Sequence, residues 1–392
     1  MTGPEGGEVE VSIVDCDVHG PVSTRGAAGR AHGALSAIDD AMLDYLPEPW
    51  RTRHYRHAIE AAEMNAPILT MPTQPFRADA EIPSGWSEVD WMEKQLFEEA
   101  GVDFAMLLFL RPGPKPHNEE WESALYRAHN DWLADSWLSK NNSHGRYRGA
   151  IRVCISDPDA AVDEIYRWAG HPFVSQIYIT LESSVPYGHP RFRKVLAASA
   201  ATGLPIALHP VRAPGMRVLT PVGFPSTHME SFSQWPLSLM SHLASMIFEG
   251  VFEDLPDLRV VAVEEGFSWL PPFMWRLDNH WAALGLRDGG CKRPPSEYLR
   301  ESLRLTTQPL DEPEPRQNLN QVMQWLPADR MLLFATDYPH YDFDDPAWVS
   351  VRLPAASKAK IMFENALDLY KLPRTRPRDR FDLARERAEV HS

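Results

Sequence analysis

Short apolar runs rich in β-branched residues alternate along this chain with longer segments of helical periodicity. Eight runs stand out, at 11–15, 102–110, 147–153, 174–181, 205–209, 258–263, 303–307 and 331–336. Most are apolar almost throughout rather than alternating, the pattern of strands buried on both faces of a parallel sheet. Between them, 119–138 sets Trp121, Leu125, Ala128, Trp132 and Trp137 near one stripe. The segment 157–169 opens with Asp157 before Pro158, a helix cap followed by proline in the first turn. Further helices are predicted at 190–201, 237–252, 269–286, 314–326 and 358–370. Repeated strand–helix alternation predicts an α/β chain closed into a (β/α)8 TIM barrel rather than an open sheet.

Two stretches exceed the minimal repeat. Residues 20–95, after the first strand, and 210–236, after the fifth, are dense in proline, aromatic and charged residues. They read as a long cap or insertion and an active-site loop over the barrel mouth. Residues 1–372 therefore form one barrel domain, and 373–392, which begins Pro373-Arg374-Thr375-Arg376-Pro377-Arg378, reads as an extended arm or tail.

Composition narrows the partners. With 54 acidic and 39 basic side chains, the net charge of -15 disfavours nucleic acid and anionic membrane surfaces. No run approaches the length of a membrane span, and residues 1–10 lack a signal-peptide pattern. Three scattered cysteines, Cys16, Cys154 and Cys291, offer no paired motif. A cytoplasmic location is expected.

The chemistry gathers at strand ends. Asp17 and His19 follow the first run two residues apart, so an extended backbone points both the same way. His209 ends the fifth run and Asp337 follows the eighth. Each alone has an ordinary structural use as a turn or capping residue. Together they place two imidazoles and two carboxylates at the C-terminal face, where barrel active sites lie. Mixed nitrogen and oxygen donors without thiolate suit Zn2+ first, with Mn2+ or Fe2+ as alternatives. His228, Gln308 and His340 lie where they can touch substrate or orient a ligand.

These segments carry a resemblance. Val14-Asp15-Cys16-Asp17-Val18-His19, the run ending in His209, residues 250–258 and Ala335-Thr336-Asp337-Tyr338-Pro339-His340 resemble the amidohydrolase-related metal-dependent barrels. That group includes aminocarboxymuconate semialdehyde decarboxylase and the resorcylate-type decarboxylases. The resemblance implies Asp17, His19, His209 and Asp337 as ligands of a divalent cation, a metal-bound water, and Asp337 as its proton acceptor. The implied activity is hydrolysis or non-oxidative decarboxylation of a small carboxylic acid or amide.

At the end of the sixth run the decarboxylases carry histidine followed by glycine, whereas this chain reads Val263-Glu264-Glu265-Gly266. Glu264 can serve as a catalytic acid or base, join the metal, or accept hydrogen bonds that orient His209. Residues 306–313 and 340–346 also resemble a subgroup containing the two hydroxylase subunits of 2-aminoisobutyrate monooxygenase. That likeness implies, as an alternative, an oxygenase subunit paired with a homologous chain. A homo- or hetero-oligomer is expected, formed through the helices and arm after residue 350.

Overall fold

A computed structural model describes residues 7–20, 41–54, 76–109, 118–183, 185–210, 227–285 and 290–391. Ten strands occur among them: β1 (Glu8–Glu10), β2 (Val14–Val18), β3 (Phe104–Leu107), β4 (Tyr147–Arg152), β5 (Val174–Thr180), β6 (Ile206–His209), β7 (Val260–Ala262), β8 (Leu303–Thr306), β9 (Leu332–Leu333) and β10 (Thr375–Pro377). Strands β2 to β9 pair in chain order, every pair parallel. This is the eight-stranded TIM barrel.

The seam between β9 and β2 is closed by three backbone bonds: Cys16 N to Phe334 O, 2.9 Å; Asp337 N to Asp17 O, 3.1 Å; and His19 N to Tyr338 O, 2.7 Å. A buried side chain reinforces it. Asp15 accepts from Thr336 N at 3.0 Å and Thr336 Oγ1 at 2.6 Å. The first barrel strand thus runs three residues further than its apolar run, because Asp15 and Asp17 are interior residues.

Local sequence explains the helices. Asp157 caps Pro158–Trp168 by accepting from Ala160 N at 3.1 Å. The 119–138 helix is α-helical over Glu119–Trp132 and widens to π-type turns over Leu133–Lys140. Trp132 and Trp137, five residues apart, both reach the Phe109 ring, with centroids 5.2 and 4.8 Å away. A wider turn brings such a spacing onto one face. The helix expected at 237–252 begins earlier, as His228–Phe248 with a Thr227–Glu230 capping box, and stops at Gly250. Gly250 has φ 74° and packs on Gly290, whose Cα would lie 2.7 Å from an added Cβ.

Beyond Leu372 the chain returns to the N-terminal face. β10 pairs antiparallel with β1, and a helix follows over Arg380–His391. Arg376 donates to Asp103 at 2.8 Å and grips both oxygens of Asp382 at 2.6 and 2.7 Å. Arg146 reaches Asp379 and Asp382. At the other end, the described close of the 20–95 insertion lies beside the mouth. Phe76 pairs with His340, and Arg77 stacks on Phe343, 4.2 Å from its centroid. No helix among the described residues is long and apolar enough to cross a membrane.

Candidate metal centre

β2 delivers Asp17 and, one residue past its end, His19; β6 ends on His209. Each imidazole has one nitrogen committed to a backbone carbonyl. His19 Nδ1 lies 2.6 Å from Leu108 O, and His209 Nδ1 contacts Pro210 O. Those contacts fix the tautomer and leave both Nε2 atoms as inward-facing acceptors.

The donors converge. One atom each from Asp17, His19 and His209 lies within 4.8 Å of the others. His19 Nε2 is 2.9 Å from Asp337 Oδ1, which joins the fourth residue to the group. His340 Nδ1 stands 2.7 Å from the same oxygen, and Gln308 Nε2 is 3.4 Å from Asp337 Oδ2. Glu264 Oε2 lies 3.4 Å from His209 Nε2, and Glu264, Asp337 and Asp342 form an adjoining group of carboxylates within the same 4.8 Å span. His228 starts a helix, but its side chain lies outside the described residues, as does most of the loop before it.

Two of these residues have left-handed backbone conformations. Glu264 has φ 58° and Asp337 φ 59°. For residues with a Cβ this costs roughly 1 kcal/mol or more each, and such positions cluster at functional sites. The conformation breaks the strand alternation at the barrel rim. Sequence carries no sign of it, since neither position is glycine or asparagine.

The electrostatics are those of an acceptor-rich cage. Asp17 and Asp337 are fully buried, His19 and His209 nearly so. Both oxygens of Asp17 and Nε2 of His209 have no hydrogen-bond partner among the described residues. Burial pushes the Asp17 carboxyl up, opposed by His19. Burial would lower His19, but Asp17 and Asp337 raise it to about 9. Burial holds His209 neutral, pushing it well below its ordinary value. Burial also acts against an ionised Asp337, yet His340 and His19 keep its carboxyl below the usual range. Unpaired buried acceptors are costly. A divalent cation fits this set, satisfying the lone pairs and displacing the proton that Asp17 and His19 would otherwise hold.

An amidohydrolase family model matches residues 14–372. The chain belongs to the amidohydrolase family. It is thus a metal-dependent enzyme with a divalent-cation site. Gamma-resorcylate decarboxylase of Rhodococcus jostii is 25% identical over 309 residues, covering 75% of this chain and 91% of the relative. Among solved structures, 2,6-dihydroxybenzoate decarboxylase from Rhizobium superposes with a TM-score of 0.62 at 19% identity, covering 92% of this chain and 99% of that one. Dihydroxybenzoic acid decarboxylase from Polaromonas, solved with manganese and 2-nitroresorcinol, gives 0.60 at 20%, with 92% and 97% covered. 5-Carboxyvanillate decarboxylase from Sphingomonas paucimobilis gives 0.61 at 22%, with 93% and 100% covered. The structural likenesses carry the barrel fold.

Sequence reasoning passed over Asp15, Asp342, Tyr178 and Arg152. Asp15 stood one residue from a chosen ligand and read as part of the strand. Asp342 lay in a charged turn. Tyr178 and Arg152 sat inside strands, where aromatic and long side chains usually serve packing.

Proposed function

We propose that this amidohydrolase catalyses non-oxidative decarboxylation of a small carboxylic acid, with Asp17, His19, His209 and Asp337 holding the cation. The observation that carries the reading is the placement of Glu264 at the rim, 3.4 Å from His209 Nε2 and beside the carboxylate of Asp337. The named relatives, all decarboxylases of aromatic acids, support the substrate class. A bound divalent cation supplies Lewis acidity and a water of lowered pKa. Zn2+ is the ion proposed for the mixed imidazole and carboxylate donors, with Mn2+ or Fe2+ as alternatives.

The chain's own groups do the rest. Glu264 donates its proton to the substrate carbon that bears the carboxylate; that carbon–carbon bond then breaks, its electrons return to the substrate and carbon dioxide leaves. Solvent returns a proton to Glu264. In the hydrolytic variant of the same site, Asp337 takes the proton of the attacking water. His340, bonded to Asp337, and Gln308 hold that carboxylate in place. Incubating the Mn2+- or Zn2+-loaded chain with 2,6-dihydroxybenzoate and with 5-carboxyvanillate should release carbon dioxide and the corresponding phenol. Turnover of amides alone would replace decarboxylation by hydrolysis.

A second reading is favoured by the Glu264, Asp337 and Asp342 carboxylates, whose hard oxygen donors suit Fe2+ or Mn2+. On it the chain is the hydroxylase-component subunit of a multicomponent monooxygenase, related to the 2-aminoisobutyrate type and paired with a homologous barrel. Co-purification of a second barrel chain, iron in the protein and oxygen uptake with a reductant would support it. A monomeric mass by light scattering and no oxygen uptake would remove it.

A further inference from the structure

Beside the His209 imidazole stands a pair of buried side chains, Tyr178 and Arg152, that the metal does not use. Tyr178 of β5 is the register partner of Arg152 on β4 and of Ala207 on β6, two residues before His209. Register partners on parallel strands share a face, and residues two apart on one strand do too. The alternation that turns His209 inward therefore turns Tyr178 and Arg152 inward as well. Each is 1% exposed. The Tyr178 ring lies 5.3 Å from the His209 ring, and the Arg152 guanidinium carbon sits 4.0 Å from the Tyr178 centroid.

Both carry an unmet requirement. The Tyr178 hydroxyl has no hydrogen-bond partner among the described residues. Buried phenols usually find one. Arg152 donates Nε and Nη2 to the Phe109 carbonyl at 3.1 and 2.8 Å, but pairs with no carboxylate among the described residues. Arg148, also buried, likewise donates only to backbone carbonyls, but the other two buried arginines among the described residues differ. Arg146 pairs with Asp379, and Arg376 with Asp103 and Asp382. A buried guanidinium without a counter-charge is costly, and an arriving anion relieves that cost. The phenol is a dependable donor. Burial raises it to about 12, with Arg152 pulling it down and Asp17 and Glu264 pushing it further up.

We propose that Tyr178 and Arg152 form the anion-receiving wall of the site, where the Tyr178 hydroxyl donates to a carboxylate oxygen of the bound substrate and Arg152, behind the ring, supplies the balancing charge. The inference rests on the reading of the substrate as a small carboxylic acid and adds the residues that recognise the carboxylate. A cation over the ring face strengthens the hydroxyl as a donor, and hydrogen bonds to charged groups are the strong ones. Arg152 stays anchored on the Phe109 carbonyl when the hydroxyl is removed, so Tyr178→Phe is expected to keep the fold.

The test uses the metal-loaded full chain and two probes, 2,6-dihydroxybenzoate and resorcinol, which is the same ring without the carboxylate. Calorimetry gives Kd for each. Tyr178→Phe should weaken the acid roughly 10- to 100-fold while leaving resorcinol within about twofold. Arg152→Gln should show the same selective loss, with Arg152→Lys restoring part of it. Unchanged acid binding in Tyr178→Phe, or equal loss of both probes, overturns the inference. A wild-type chain that binds the acid no more tightly than resorcinol overturns the carboxylic-acid reading beneath it, and this inference with it. Acid-selective wild type with unaltered Tyr178→Phe removes the inference alone.

Discussion

Two clusters of buried charge sit at opposite ends of the same barrel, and they are built on opposite rules. At the N-terminal face, Arg146 and Arg376 meet Asp103, Asp379 and Asp382. The remaining oxygen of Asp103 accepts from Ser12 N at 2.8 Å and Ile13 N at 3.1 Å. Charges nearly cancel and acceptors face donors. At the C-terminal face, Asp17, Asp337, Glu264 and Asp342 gather with three imidazoles, and Asp17 and Asp337 lie against histidines rather than arginines. Acceptors face acceptors there. The first cluster is complete as a protein structure, clipping the C-terminal helix to the barrel. The second is complete only with a cation. Buried charge by itself does not mark a site; buried charge that the chain leaves unbalanced does.

The largest effect expected from breaking this contrast is at Asp337. Asp337→Asn keeps the side-chain shape but removes the charge of a proposed metal donor that lies 2.9 Å from His19 Nε2 and 2.7 Å from His340 Nδ1. Turnover should fall by roughly 10^4-fold or more, with the melting temperature held within a few degrees of wild type. Turnover near the wild-type rate would move the chemistry elsewhere. Next comes Glu264, the carboxylate nearest His209. Glu264→Gln should lower turnover by about 10^2- to 10^4-fold while metal content stays unchanged. Loss of metal as well would make Glu264 a ligand, and loss of neither would reduce it to a structural acceptor.

The smallest effect belongs to the opposite face. Asp382→Asn should cost about 2 kcal/mol of stability at pH 7 by denaturant unfolding, without changing metal content or turnover. The pH dependence has a definite sign. Burial would raise the Asp382 carboxyl, but its paired hydrogen bonds from Arg376 hold it well below the usual range. With a folded pKa below the unfolded one, the stabilisation is fully present above about pH 4 and lost as pH falls through the folded value. The gap between wild type and Asp382→Asn should therefore close in acid. A gap that persists unchanged at pH 3 would mean the contact is not ionic.

The same contrast explains what sequence could and could not reveal. The strands were legible because burial on both faces leaves continuous apolar runs, and Asp17, His19, His209 and Asp337 were legible because polar residues interrupt those runs at one end. Nothing local marks the positive φ of Glu264 and Asp337. Thr336 meets Asp15 across 321 positions, and Arg376 meets Asp103 across 273. Such pairs are set by barrel closure, which no short window contains. The segment that carries Arg376, Asp379 and Asp382 accordingly read as an extended arm or tail, although these residues join a buried ionic cluster. Tyr178 and Arg152, inside predicted strands, were not singled out for a related reason: an unmet hydrogen bond is visible only once its surroundings are known.

The claim that the mouth is a metal centre is tested most directly by elemental analysis of protein purified without chelator, wild type beside His209→Ala. Wild type should carry at least about one equivalent of a divalent transition metal per chain, and His209→Ala a small fraction of that while melting cooperatively, since the imidazole supports the ion and not the barrel. Wild-type protein that binds no divalent metal even after loading, or His209→Ala that keeps its full complement, would contradict the account.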